Sequence, residues 1–159
     1  MKISRTCFAV VLTALILGAG LAVAAPATKA PTSKKPATTQ DVRALTRQYI
    51  AWSDSITLTP EQQKIKEEVL SSIPTVCCSK FSMLTCCCAC NMAKTIWGLS
   101  NHLLVHDRAD AKHLRSAVLQ WTRLVGKSGF TGDACFKGGC ARPFAENGCG
   151  GMDGEKVVF

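Results

Sequence analysis

The chain has 159 residues, enough for one domain besides its ends, and 47% of them are hydrophobic, enough for a modest core. The formal net charge is +8, but from Gln40 onward 14 basic and 11 acidic residues leave only +3. Because this part has no clustered basic stripe with interleaved aromatic residues, the composition argues against nucleic acid as a partner.

The first 24 residues have the pattern of a secretory signal peptide. Lys2 and Arg5 form a positive start, residues 8–17 form an apolar run, and Ala22-Val23-Ala24 supplies the small residues that signal peptidase needs. We expect cleavage after Ala24. The alternative is an uncleaved leader that anchors the chain, because the apolar stretch approaches the roughly 20 residues of a membrane helix. Either way a periplasmic or secreted location is expected, and the leader is the only predicted contact with a membrane.

Residues 25–39 are predicted to be a disordered linker. They contain three prolines and no large apolar residue, so nothing in them compensates for the entropy lost on ordering the backbone. The folded domain is then expected to cover residues 40–159.

Two helices are predicted in the first half of this domain. Residues 41–54 carry apolar side chains at helical spacing, namely Val42, Leu45, Tyr49 and Trp52. The second helix starts at Thr59-Pro60-Glu61, where Thr59 caps the helix and Pro60 occupies the first turn. It runs to about Ile73, and Pro74 stops it.

Two further helices are expected over residues 91–105 and 111–126. Asp110 is the predicted cap of the last one, whose apolar stripe is the cleanest in the chain: Leu114, Ala117, Val118, Trp121, Leu124 and Val125. The short connection between the two helices predicts an antiparallel hairpin. The expected fold class is therefore all-α, a small four-helix, cysteine-rich domain with an irregular glycine- and cysteine-rich C-terminal tail.

Nine cysteines follow the leader, in two groups. The first group is Cys77, Cys78, Cys86, Cys87, Cys88 and Cys90, and the second, in the tail, is Cys135, Cys140 and Cys149. The predicted helix hairpin lies between the groups and returns the chain to where the hairpin began. The tail cysteines are therefore expected to lie beside the first group.

These nine cysteines are predicted to be ligands or neighbours of a soft metal ion or cluster. Cys86, Cys87, Cys88 and Cys90 form the expected primary cluster, because C-x-C and C-x-x-C spacings let thiolates of one segment converge on one ion. Thiolates select Cu(I), Zn(II), Hg(II) or an iron–sulfur cluster, and the sequence does not choose among them. A helix start at Asn91 would favour thiolates at Cys88 and Cys90, and the thioether of Met152 adds a soft donor near Cys149.

The main alternative is a disulfide-stapled interaction module without metal. Three tail cysteines would pair with three of the first group and stabilise the tail by a few kcal/mol per bridge. Adjacent cysteines cannot easily bond each other, however, because a disulfide prefers Cα atoms about 5.5 Å apart and a trans peptide holds neighbours at about 3.8 Å. An odd count also leaves one thiol over in a monomer.

Two weaker interpretations concern other chemistry. Cys87 and Cys90 form a C-x-x-C pair at a helix start, which suits thiol–disulfide redox chemistry, but the strand-and-helix alternation of a thioredoxin-like domain is missing. His102 and His106 are four residues apart, a spacing that can hold one ion, although such histidines are more often surface residues. The sequence contains no nucleophile elbow, phosphate loop or dinucleotide fingerprint, so a binding protein is favoured over an enzyme, and no protein partner is indicated.

Overall fold

The structure of the protein, a computed structural model, describes residues 38–78, 80–126, 141–146 and 148–159. These residues contain four α-helices and no β-strand, which confirms the all-α prediction. The helices are α1 (Thr39–Ser55), α2 (Pro60–Ser71), α3 (Asn91–His106) and α4 (Ala111–Val125), followed by a 3₁₀ turn at Phe144–Glu146. The predicted leader, the linker up to residue 37, and the two tail cysteines Cys135 and Cys140 lie outside the described residues.

Capping side chains define where α1 and α2 begin. Thr38 and Asp41 form a reciprocal capping box, and α1 starts two residues earlier than the periodicity predicts. Thr59 and Gln62 form a second box, with Pro60 as the first helical residue, as predicted. Each box satisfies amide groups that the first helical turn leaves without an internal acceptor.

The two predicted antiparallel helices, α3 and α4, are joined by a tight connection of four residues. Arg108 adopts a left-handed conformation with φ of 49°, and the amide of Ala109 donates to the carbonyl oxygen of Leu103 at 3.1 Å. Asp110 then caps α4 by accepting a hydrogen bond from the amide of His113 at 2.7 Å, as predicted. The chain therefore returns toward the start of α3, where the cysteines begin.

The backbones of α1 and α3 come into contact at Gly98, the one residue of α3 without a side chain. A Cβ atom at Gly98 would overlap the carbonyl oxygen of Tyr49 and lie 2.8 Å from the amide nitrogen of Ser53. Glycine is therefore required here for the two backbones to approach. The close packing that it permits offsets the loss of about 1 kcal/mol in helix stability that glycine causes relative to alanine.

The apolar stripe of α4 forms much of the core. Leu114, Val118, Trp121 and Val125 are buried, while Leu124 is 40% exposed and lies outside the core. The indole nitrogen of Trp121 donates to the hydroxyl of Thr95 on α3 at 3.0 Å, so the buried polar groups of both side chains are satisfied. Among the described residues, no helix is long and apolar enough to cross a membrane.

Candidate metal centre

The loop between α2 and α3 is closed at its neck by backbone pairing. Pro74 and Ser82 form an isolated antiparallel bridge, and the amide of Met83 donates to the carbonyl oxygen of Ile73 at 2.8 Å. Cys77 and Cys78 lie between the two paired arms, and both side chains are buried. The neck therefore fixes two of the predicted ligands in the interior rather than on a mobile surface loop.

A buried threonine sets the conformation of this turn. The hydroxyl of Thr75 donates to the carbonyl oxygen of Cys78 and accepts from the amide of the same residue at 3.1 Å. On the other side of the loop, the indole nitrogen of Trp97 in α3 donates to the carbonyl oxygen of Met83 at 2.8 Å. The bond from Trp97 attaches the loop to α3, the helix that begins directly after Cys90.

The C-terminal tail is fastened to the first turn of α3. The amide of Met92 donates to the carbonyl oxygen of Cys149 at 3.1 Å, and the amide of Asn91 donates to that of Gly151 at 2.9 Å. The buried side-chain amide of Asn91 donates to the carbonyl oxygens of Gly150, at 2.9 Å, and Asp153, at 2.8 Å. Carbonyl groups of the tail thus satisfy helix amides that would otherwise lack partners, and Cys149 is held beside Cys90.

Four thiols from three distant stretches of the chain meet here in what we call the sulfur ring: Cys77, Cys86, Cys90 and Cys149. Cys77 is hydrogen-bonded to Cys86 and to Cys149. Cys90 likewise interacts with Cys86 and with Cys149, which closes the ring. Because a thiol carries one proton, Cys149 donates to only one of its two neighbours at a time. Cys77, Cys90 and Cys149 are at most 1% exposed, whereas Cys86 is half-buried. One tail cysteine therefore joins the first group, as the helix hairpin predicts.

A second group, which we call the triad, shares Cys86 with the ring. The Sγ atoms of Cys86, Cys87 and Cys88 all lie within 4.8 Å of one another, an arrangement that offers three sulfur ligands to an ion. Cys87 is exposed and the other two are half-buried. Cys86 is thus the junction between a buried set of sulfurs and a set that faces solvent.

The thiols of the ring differ in pKa. Hydrogen bonds from Cys77 and from Cys90 hold the pKa of the Cys86 thiol far below its usual range, against the effect of burial. The pKa of Cys149 is raised by its hydrogen bonds to Cys77 and Cys90 and by burial. In the ring without a cation, the negative charge therefore belongs on Cys86.

The other two ring thiols experience opposing effects. A hydrogen bond with Cys149 lowers the pKa of both Cys77 and Cys90, but the hydrogen bond with Cys86, burial and the charge on Cys86 together outweigh it and raise the pKa. A bound cation favours further deprotonation, because metal ligation by cysteine requires the thiolate. The ring is thus a donor set that can carry much more negative charge with a metal ion than without one.

The structure places the predicted cysteine ligands in different environments. Four form the ring and two more complete the triad, while Cys78 lies in the hydrophobic core outside both groups. Cys135 and Cys140 cannot be placed, because they lie outside the described residues. None of the seven described cysteines is in a disulfide, so the described part of the chain gives no support to the stapled alternative.

The structure also revises the expected environment at the start of α3. The sequence suggests that the first amides of this helix favour thiolates at Cys88 and Cys90, but those of Asn91 and Met92 donate to tail carbonyl groups instead. Only the amide of Ala93 acts on Cys90. It lowers the pKa of the Cys90 thiol, and its effect is smaller than that of the hydrogen bond with Cys149. The sequence predicts Asn91 only as the start of this helix, whereas in the structure its side chain also binds the tail.

The histidine pair forms an aromatic stack. The ring of His102 lies parallel to Trp52 with centroids 3.8 Å apart and an angle of 4° between the planes, and 4.7 Å from the ring of His106. Burial lowers the pKa of His102, whose Nδ1 is buried without a hydrogen-bond partner among the described residues. The side chain of Met152, the predicted soft neighbour of Cys149, is 47% exposed.

Comparison of the chain with models of protein families, with curated proteins and with solved structures gave no match. The features of the chain that bear on its function are therefore the buried sulfur ring, the exposed edge of the triad, and the hydrogen bonds that hold both in place.

Proposed function

We propose that this protein binds a soft metal ion through the thiolates of the sulfur ring. The observation that carries the proposal is the ring of contacts that joins Cys77, Cys86, Cys90 and Cys149 without any disulfide. No three of these four described sulfurs lie within 4.8 Å of one another, so the ring has to contract around the ion that it binds. Deprotonating several thiols in contact within the interior is unfavourable unless an opposite charge compensates for them, and a cation does so while also fixing their positions. The ligands come from the loop, the segment before α3 and the tail.

The donor set favours a thiophilic ion. Thiolates select Zn(II), Cu(I), Hg(II) or iron–sulfur clusters, whereas Mg²⁺ and Ca²⁺ prefer oxygen. Four protein sulfurs close the coordination shell of a tetrahedral ion, which is the arrangement of sites that hold a metal rather than of catalytic sites, where one position stays open. We therefore assign the ring to metal binding and not to metal-dependent catalysis.

Metal binding also fits the proposed export of the chain. In a periplasmic or secreted location, reduced thiols in contact tend to be oxidised to disulfides. A bound ion removes the thiolates from that reaction, because the sulfur lone pairs are engaged with the metal. An ion in the ring would therefore preserve the arrangement that connects Cys149 to α3.

A titration with Co(II) and Cd(II) tests the proposal. The reduced full chain is titrated with each ion, and sulfur coordination is read from the thiolate charge-transfer absorption and the metal content from native mass spectrometry. Cys149→Ser should lower the affinity by at least about tenfold, because it removes one ring ligand. Cys78→Ser is the matched control: it changes a buried cysteine of the core cluster outside the ring, and should leave the absorption and stoichiometry unchanged.

Two results would contradict the proposal. The first is the absence of thiolate absorption in the reduced wild-type chain with either ion. The second is equal loss of binding in Cys149→Ser and Cys78→Ser when both variants keep the helical circular dichroism of the wild type. If neither result is found, elemental analysis of protein purified from its own host identifies the ion that the ring holds. If that protein has no metal and all its cysteines but one are oxidised, the disulfide-stapled module replaces the metal site.

A further inference from the structure

The second inference, which rests on the proposed function, concerns how an ion reaches a ring whose sulfurs are buried. Three of its four thiols are at most 1% exposed. A metal ion in a cell is carried by other ligands, and a ligand of any size cannot contact a buried sulfur directly. The ring therefore needs an accessible sulfur at its edge, and Cys86 is its one half-buried member.

The triad extends that edge to solvent. Three sulfurs bound to one ion in a trigonal plane lie about 4.0 Å apart when each bond is about 2.3 Å long, and the three triad Sγ atoms lie within 4.8 Å of one another. A small contraction of adjacent residues therefore suffices to hold an ion at the surface. The exposed member is Cys87, which an incoming complex would meet first.

We propose that the triad of Cys86, Cys87 and Cys88 is the entry port of the sulfur ring, which accepts a soft ion from a thiol-ligated donor and passes it inward through the shared sulfur of Cys86. Cys86 belongs to both the triad and the ring, and this shared position supports the proposal. An ion can exchange Cys87 and Cys88 for buried sulfurs while its bond to Cys86 is kept. The partner is any small thiol complex or protein that presents the ion on an exposed thiolate.

Each step is a ligand exchange with no change of oxidation state. At the port, the sulfurs of Cys87, Cys86 and Cys88 each form a bond to the ion as a donor sulfur loses its bond, and the proton of each attacking thiol passes to the departing donor thiolate. Inside the protein, Cys90 and Cys77 then form bonds as Cys87 and Cys88 lose theirs, and the protons of the incoming thiols pass to the outgoing ones. Cys149 displaces the last donor sulfur in the same way. Because Cys86 stays bound throughout, the ion is never released into water between the two sets.

The test compares loading rates and final occupancy. Cd(II) is mixed, as its complex with a small monothiol, with the reduced full chain in a stopped-flow spectrometer, and the change in thiolate absorption gives the rate. The double variant Cys87→Ser, Cys88→Ser should load slower by on the order of tenfold or more, because the accessible attacking thiols are gone. The Cd(II) retained after a chelator challenge should equal that of the wild type. Ala89→Ser, an exposed change in the same segment, should load at the wild-type rate.

The outcomes separate the two proposals. An unchanged loading rate in the double variant overturns the port, while retained Cd(II) still supports the ring. A slower rate together with a loss of retained Cd(II) also overturns the port, because the triad would then be part of the final site. If the wild type itself retains no Cd(II), the proposed function fails. The single change at the exposed position, Cys87→Ser, should give an intermediate rate, and an unchanged helical circular dichroism spectrum shows that its helices remain folded.

Discussion

The amide nitrogen of Met92 donates a hydrogen bond to the carbonyl oxygen of Cys149, 3.1 Å away. These residues are separated by the whole of the α3–α4 hairpin and by residues 127–140, which lie outside the described part of the chain. The bond satisfies an amide of the first helical turn and, in doing so, holds a cysteine of the tail beside Cys90. Helix capping and assembly of the candidate metal site are therefore the same interaction.

Asn91→Ala should weaken both the fold and the site. The side-chain amide of Asn91 is buried and donates to two tail carbonyl oxygens. Its removal loses two buried hydrogen bonds, while both acceptors keep a backbone amide donor, and should cost about 1–3 kcal/mol of unfolding free energy. The loosened tail should also release Cd(II) to a chelator faster than the wild type. Denaturant unfolding and the rate of Cd(II) release measure the two effects.

The matched control for this variant is Lys94→Ala. Its ammonium group donates to the carbonyl oxygen of Met152 in the same tail, at an exposed position, where such a contact contributes at most about 1 kcal/mol. If both variants lower the unfolding free energy equally, the buried amide of Asn91 is not what holds the tail.

The helices were predictable from the sequence because their signals are local. The Thr59-Pro60 start and the Asp110 cap each involve residues within one turn, and the apolar stripe of α4 reads directly as a buried face. The membership of the ring was not predictable in the same way. Whether Cys77 or its neighbour Cys78 faces the other thiols depends on the turn that Thr75 stabilises, and the place of Cys149 depends on bonds to α3 about 60 residues earlier.

Gly98→Ala should destabilise the protein although alanine is the better helix former. The new methyl group would overlap the carbonyl oxygen of Tyr49, so α1 has to move away from α3, at a cost of about 3 kcal/mol in unfolding free energy. Thermal unfolding followed by circular dichroism measures it. Gly154→Ala is the control, because its methyl group would meet only a side-chain methyl group, Cγ2 of Ile50, at 3.0 Å and no backbone atom. A Gly98→Ala protein as stable as the wild type would mean that the two helices do not approach this closely.

His102 should make the stability of the protein depend on pH. Burial, with the nearby charge of His106, lowers the folded-state pKa of His102, while Asp107 acts in the opposite direction. The unfolded chain therefore binds a proton more readily, and unfolding free energy falls as pH drops below the unfolded value of about 6.5 toward the lower folded pKa. Above about pH 6.5 this contribution is fully present and constant.

An NMR titration of the His102 ring protons gives its pKa directly, and urea unfolding at several pH values gives the stability slope. His102→Phe should keep the stack on Trp52 and reduce that slope. His113→Gln, at an exposed position early in α4, serves as the comparison for the loss of any histidine. A folded-state pKa for His102 above that of the unfolded chain would contradict the buried stack.

Alkylation followed by mass spectrometry should distinguish the thiols by position and by metal state. In the reduced protein without metal, Cys87 should react early because it is exposed, and Cys86 should react early because it is half-buried and carries the thiolate of the ring. Cys149 should react only on unfolding, because it is fully buried and its pKa is raised by its hydrogen bonds with Cys77 and Cys90. Saturation with Cd(II) should then protect Cys86 while Cys87 stays reactive, since only Cys86 belongs to the ring. Equal protection of Cys86 and Cys87 would instead make the triad the resting place of the ion, and slow labelling of Cys86 before metal is added would contradict the charge distribution of the ring.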